Sequence, residues 1–316
     1  MLLPSLISLR KPLDEPLSAE DIFSSSLGGI FTDDLQNSHG DGANTVIVYR
    51  SHRHGDLEFR TADVNGEEQR KKFAHYLWNA GILIAELVSG RPQKIGRDSG
   101  MFVQGADEQE KGWGDCKWWV DEDEEKHWNM EGHMVLELGA AGVGLAGIAS
   151  ALSGAQEVAM TDYPAPPIIE AIITNVGKNT PASLRPQVSV HGHQWGHFDD
   201  SFADSHAHSY TRILAADCFW MPHEHDKLAR SMLHFLSQDP NARIHCVAGF
   251  HTGRANLVPF FGEIVPNVGL EVEDIYEMDA EGNRRPWAKE RDGGREDVTG
   301  RKKWLVVARL RRSFPS

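Results

Sequence analysis

Cysteine is scarce in this 316-residue chain: three in all, Cys116, Cys218 and Cys246, odd in number and far apart. That argues against a disulfide framework and fits a reducing interior compartment, so a cytoplasmic location is expected. Basic charge is also short. Lys and Arg number 32 against 46 Asp and Glu, a net charge of −14. This balance argues against nucleic-acid binding through phosphates and is compatible with a basic protein partner or a small substrate. No apolar run reaches the roughly 18 residues a membrane span needs. Met1 to Leu9 is apolar but short, with no basic segment before it, so neither a span nor a secretory leader is expected. G-x-S-x-G is absent, which disfavours a Ser-His-Asp hydrolase. No zinc-type spacing of cysteines or carboxylates surrounds the 16 histidines. No metal site is expected, and the pairs His191/His193, His206/His208 and His223/His225 read as solvated loop residues.

What is present is ordinary soluble composition, 40% hydrophobic and 25% charged, with enough apolar content for a real core. One stretch organises the rest: Val135-Leu136-Glu137-Leu138-Gly139-Ala140-Ala141-Gly142-Val143-Gly144-Leu145. An apolar run ends at Gly139, and a helical pattern (Leu145, Ile148, Ala149, Leu152) follows. Strand, glycine turn and helix open a nucleotide-type α/β unit. The glycines let backbone N–H groups approach a ligand with no Cβ in the way. Their spacing is G-x-x-G-x-G, with Ala141 in the second position of the dinucleotide pattern G-x-G-x-x-G. A second strand then delivers Asp162, whose carboxylate can accept hydrogen bonds from both hydroxyls of a ribose.

From Gly132 onward strands and helices alternate. The spacing predicts strands 134–138, 156–161, 187–191, 212–217, 242–248, 269–277 and 303–310. It predicts helices 142–153, 165–177, 222–237 and 253–264. This is a mostly parallel sheet with helices on both faces. The last two strands, joined by the polar loop Asp279 to Arg301, are expected to pair antiparallel. Ligands of such sheets bind at the carboxyl ends of the strands.

The Glu137–Gly139 loop and Asp162 resemble the S-adenosylmethionine (SAM) site of the seven-strand methyltransferases. Further motifs follow in order: Leu77-Trp78-Asn79-Ala80-Gly81, Thr161-Asp162-Tyr163-Pro164, Trp195-Gly196, and Asp217-Cys218-Phe219-Trp220 before His223-Glu224-His225. Together they are similar to the family-16 protein-lysine methyltransferases and the fungal nicotinamide N-methyltransferase-like proteins, which include elongation-factor methyltransferases. The resemblance covers about residues 73 to 310, less an insertion at 91–131. It implies a Rossmann-like seven-stranded α/β fold and SAM as cofactor. The implied cofactor residues are Trp78, Glu137, Gly139, Ala140, Ala141, Gly142, Asp162, Tyr163, Trp195 and Ala216. The implied catalytic residues are Asp217, Trp220 and His251. Asp217 would accept an N–H from an approaching amine, Trp220 would pack on a cationic or π substrate, and His251 would assist deprotonation. Trp220 stands where the family carries Tyr or Phe. The expected acceptor is a nitrogen on a protein, a lysine or an N-terminal amine. The alternatives are a small, nicotinamide-like amine, or a silent methyltransferase-fold subunit. Cys218 carries no mark of a reactive thiol.

The remaining segments read as periphery. Residues 1–72 are expected to form an irregular arm (1–43, with a short helix near 18–21) and a hairpin. Its strands are Thr45–Tyr49 and Leu57–Thr61, turned at Gly55-Asp56. Residues 73–316 form the methyltransferase domain, beginning with a helix over 73–88. The insertion 91–131 combines solvated charge runs with Trp113, Trp118 and Trp119, which either lie over the substrate entrance or pack on the core.

Overall fold

The structure, a computed structural model, describes residues 2–10, 38–40, 45–62, 76–92 and 118–314. Its centre is an eight-stranded sheet. The strands are β6 (Met134–Leu138), β7 (Glu157–Asp162), β8 (Val188–Gly192), β9 (Arg212–Ala216), β10 (Arg243–Gly249), β11 (Leu270–Asp279), β12 (Arg284–Pro286) and β13 (Trp304–Arg312). Their spatial order is β12-β11-β13-β10-β9-β6-β7-β8. β8, β7, β6, β9 and β10 run parallel. β13 then enters antiparallel between β10 and β11. The order reverses between β6 and β9, and a crevice opens there at the strand ends.

Seven of these strands match the expected ones. The eighth, β12, was not anticipated, because the loop after β11 is polar throughout and only three of its residues pair with the edge. That loop also holds a short helical turn, Val298–Lys302, capped by Asp297. The expected helix 253–264 is instead Arg254–Pro259, a π-helical turn Phe260–Ile264, and a last turn Val265–Val268. Proline within the segment removes the N–H that a regular ladder would need.

Helices cover both faces. On one face lie α1 (Asn79–Ser89), α3 (Leu145–Leu152) and α4 (Pro166–Asn179), sharing a core with Val135, Leu214 and Val307. On the other lie α6 (His225–Phe235) and the 254–268 segment, around Phe219, Phe260 and Ile244. Two short helices complete the set: α2 (Glu122–Glu125), and α5 (Ser201–Ser205), whose Phe202 and Ala203 join the second core.

The N-terminal region departs from expectation. The hairpin forms, as β3 (Val46–Ser51) and β4 (Gly55–Phe59), but turns at His52–His54. The Ser51 hydroxyl accepts N–H bonds from Arg53 and His54 and closes the turn there, so Gly55 and Asp56 belong to β4. The arm is not wholly irregular: β1 (Ile7–Arg10) adds a third strand beside β3, and Leu3 and Leu6 are fully buried in the α1 core. The short helix near 18–21 falls outside the described residues. Helix α1 starts at Asn79. Before it, Leu77–Trp78 is extended (β5) and pairs with β2 (Ser38–His39).

Among the described residues of the insertion, Trp118 and Trp119 pack on the core rather than over an entrance. Trp119 donates to the buried Glu86, which also binds Tyr49 and His52. The charge run 121–126 is only partly solvated. Its Glu124 is buried: Oε1 accepts from Trp128 Nε1 at 3.0 Å, and Oε1 and Oε2 accept from Arg309 Nη1 at 3.0 and 3.1 Å. Trp113 and the run at 107–112 lie outside the described residues.

Candidate active site

A cavity of about 340 Å³ opens at the carboxyl ends of β6, β7, β8 and β9. Its wall includes Trp78, Gly139, Ala141, Asp162, Tyr163, Trp195, Ala216, Asp217 and Trp220. Sequence separations of more than 140 residues are thus closed by the parallel sheet. Glu137 and Ala140 face a small adjoining void that shares Trp78, Gly139, Ala141 and Ala216. Gly142 and His251 line neither space. Gly142 is buried in the turn at φ 67, and its carbonyl accepts from Asn175. His251 touches the site through Asp217 and Trp78.

The glycine loop works differently from expectation. Gly139 and Ala140 both donate their N–H groups to the Thr161 carbonyl, at 2.9 and 3.0 Å. Val143 and Gly144 donate to the Ala140 carbonyl, and Ala141 donates to Asp162 Oδ2 at 2.7 Å. These N–H groups are therefore turned into the protein, not toward a ligand. What the loop supplies is clearance. An added Cβ at Gly139 (φ 72) would stand 2.7 Å from Cys218 Sγ and 3.3 Å from Trp195 Cζ2. The start of α3 is filled as well, since Glu137 Oε2 accepts the Gly147 N–H at 2.8 Å. With the helix N-terminus occupied by a carboxylate and the amides of Gly139, Ala140, Ala141, Val143 and Gly144 already bonded, the turn is a poor seat for a pyrophosphate.

The cavity is instead ringed by carboxylates. Asp162 is oriented by two backbone bonds, from Ala141 and from Tyr163 at 2.7 Å each. Two such bonds leave a carboxylate with further accepting capacity. Glu137 is fully buried; burial first, with the charge of Asp162 adding, raises its pKa to about 7 against the opposing Gly147 bond. Asp217 holds a left-handed backbone (φ 55) that turns its side chain back over β10. There it accepts the Gly249 N–H at 3.1 Å and pairs with His251 Nε2 at 2.8 Å. Burial works to lower the His251 pKa, but the charge and hydrogen bond of Asp217 outweigh it and the net shift is upward. That makes His251 a partner holding Asp217 more than a ready base. Its ring also lies 4.7 Å from the Trp78 ring. Cys218 lines the cavity as a buried thiol, its pKa pushed well up by burial.

Five wall residues were given no site role from sequence: His193, Gln194, Met221, His223 and Glu224. Behind the wall, Gly249 was also missed: it donates to Asp217, and a side chain there would overlap the His251 ring. The reading of the histidine pairs as solvated is corrected for most of them. His193 and His225 are buried, with His193 against Ser231 Oγ at 3.0 Å and His225 against the Phe219 carbonyl at 2.8 Å. His191 and His206 stack on Phe202. His223 remains exposed. Apolar neighbours far along the chain decided this, so no local pattern marked it. Among the described residues no helix is long and apolar enough to cross a membrane.

Comparison with known proteins meets this geometry. A family model described as lysine methyltransferase matches residues 64–264, more than half of the chain. The protein N-terminal and lysine N-methyltransferase efm7 of Schizosaccharomyces pombe is 27% identical over 255 residues, covering 76% of this chain and 83% of its own. Its namesake in Gibberella zeae is 30% identical over 182 residues, covering 52% and 67%. The protein N-lysine methyltransferase METTL21A of Xenopus tropicalis is 36% identical over 110 residues, covering 35% and 47%. With the strand order, the glycine turn and the family match in agreement, this chain belongs to the lysine methyltransferase family.

Proposed function

We propose that this chain transfers a methyl group from SAM to a protein nitrogen, a lysine side chain or an N-terminal amine. The observation that carries the reading is the charge character of the cavity. Its loop amides face inward, while Asp162, Asp217 and Glu224 line it and Glu137 stands just behind. Such a wall suits a cationic nucleoside and a cationic acceptor, and opposes a phosphate. The residues present fit the cofactor. Asp162 would take the ribose hydroxyls. Trp195 and Tyr163 would border the purine, since aromatic faces stack on bases for about 1–3 kcal/mol each. Gly139 keeps the backbone bare beside it, and Trp78 closes the far side with Ala216.

SAM supplies an electrophilic methyl group on a sulfonium. The protein's own task is then positioning, because an amine free of its proton attacks such a methyl when held in line at about 3–3.5 Å. Asp217, aligned by the Gly249 N–H and by His251, accepts an N–H of the entering amine and directs its lone pair. His251 acts by fixing that rotamer. Trp220 borders the acceptor. A cytoplasmic setting is part of this reading; Cys218 and Cys246 are free, buried thiols.

The test is labelled SAM added to a lysate with the purified protein. Label entering protein at lysine or an N-terminus is expected. Label confined to the small-molecule fraction would replace the protein acceptor with a small amine, and no transfer with no S-adenosylhomocysteine binding would leave a silent fold.

A further inference from the structure

Among the described residues four carboxylates border or back the cavity, and three of them are accounted for above: Glu137 by the helix it caps, Asp162 by the loop and the ribose, Asp217 by Gly249 and His251. Glu224 is not. It ends the turn Pro222–Glu224 that carries Trp220, Met221 and His223 along the outer wall, and it opens α6. Its side chain is 21% exposed while that of its neighbour His223 is 75% exposed, so the carboxylate is sheltered at the mouth. Its Oε1 receives Lys227 Nζ at 2.9 Å, and His223 Nε2 stands 3.9 Å away. Lys227 is 44% exposed, and its stem passes along the Trp195-Gly196 turn, where an added Cβ at Gly196 would meet Lys227 Cβ at 2.9 Å.

We infer that Glu224 is the docking carboxylate for the positive charge of the acceptor amine, and that Lys227 fills this role in the free enzyme. The inference rests on the methyl-transfer reading and deepens it. Lys227 shows what Glu224 accepts: a lysine ammonium, through one bond, at the edge of the cavity. That grip is weak by type, since a part-exposed lysine–carboxylate pair gains little over its two hydrated ions. Elsewhere in the chain, carboxylates with a structural task are held by arginine through two bonds, as Glu273 is by Arg243 and Glu277 by Arg254. Replacing one ammonium by another leaves the local charge unchanged and desolvates no new unpaired ion, so an entering lysine can exchange with Lys227 at little cost. Glu224 then selects a cationic amine at the mouth, and Asp217, deeper and committed to Gly249 and His251, orients it. A neutral side chain of the same length finds nothing at the mouth to exchange with.

The experiment uses the full chain saturated with S-adenosylhomocysteine. N-α-acetyl-L-lysine amide and its uncharged counterpart N-α-acetyl-L-norleucine amide are titrated in, with binding followed by ligand-observed NMR. The lysine probe is expected to bind the wild type about three- to fivefold tighter than the norleucine probe. Glu224→Gln should remove most of that preference while its S-adenosylhomocysteine affinity stays at the wild-type value. Lys227→Met should bind the lysine probe as tightly as wild type or tighter, since the competing ammonium is gone. Equal affinity for the two probes, an unaltered Glu224→Gln, or a Lys227→Met as weak as Glu224→Gln would overturn the inference, the last by showing the pair to be a brace. Failure of the wild type to bind S-adenosylhomocysteine would instead sink the methyl-transfer reading beneath it.

Discussion

Two groups of buried or half-buried carboxylates in this molecule keep partners that differ in kind. At the cavity, Glu137 and Asp162 are held by backbone N–H groups, and Asp217 by one N–H and a histidine. Toward the other edge of the sheet, Glu124, Glu273 and Glu277 are held by Arg309, Arg243 and Arg254. Backbone donors orient a carboxylate without cancelling its charge; a guanidinium does both. The first region therefore sets oriented carboxylates around the cavity, while in the second the guanidinium groups neutralise them and fix segments in place. The two settings push pKa values apart. Glu137 rises to about 7, chiefly through burial. Glu273 is also penalised by burial, yet Arg243 and Arg309 outweigh that and bring it to about 2.

The sharpest way to break this contrast is at the arginine side. Arg309→Met leaves Glu124 buried without its cation and removes one partner of Glu273; a loss of about 3–5 kcal/mol in urea unfolding is expected, with S-adenosylhomocysteine affinity of the folded protein unchanged. A parallel loss of ligand affinity would show the two regions to be one coupled network. Next comes Asp162→Ala, in which two charge-assisted bonds to the ligand go at about 1.5–3 kcal/mol each. Calorimetry should report affinity lower by about 100-fold or more, with the fold retained by circular dichroism.

Glu137 sharpens the comparison through pH. Its folded pKa lies above the ordinary glutamate value of 4.5. Its favourable contribution is thus full below about 4.5 and is lost as pH rises through about 7. The shift sets an upper limit of about 3 kcal/mol. Glu273, with its pKa depressed, behaves in the opposite sense: its contribution is present above 4.5 and is lost as pH falls toward 2. Glu137→Gln should therefore flatten the decline of thermal stability between pH 5 and 8 and leave the acid limb alone; an unchanged profile would remove Glu137 as its cause. The smallest effect is expected at Tyr163, 40% exposed on the cavity rim. Tyr163→Ala should weaken S-adenosylhomocysteine by only about threefold, since an exposed ring gives up part of its stacking to water.

Much of the sheet was legible because its signals are local. Four buried parallel strands read as short apolar runs, and Gly139, Gly142 and Gly144 mark the turn that only a glycine-rich loop makes. Asp162 was legible from its place one residue past an apolar run. What was not legible depended on partners distant in sequence. Nothing around Glu124 says that Arg309 awaits it, and nothing around Leu3 and Leu6 says that α1 needs covering. The same holds for Gly249, whose bareness matters only because the His251 ring lies across it.

The amino-acid order alone determined the glycine turn after Leu138, the apolar runs of the central strands, and that a bare loop precedes an acidic strand end. Those are consequences of backbone freedom and apolar periodicity, which act over a few residues. The tertiary structure alone decided which way the loop amides point, which carboxylates are held by backbone N–H groups and which by arginine, and that Glu224 meets Lys227 at the cavity mouth. Hydrogen-bond direction and charge pairing depend on atoms brought together by the sheet, and no window of sequence contains both partners.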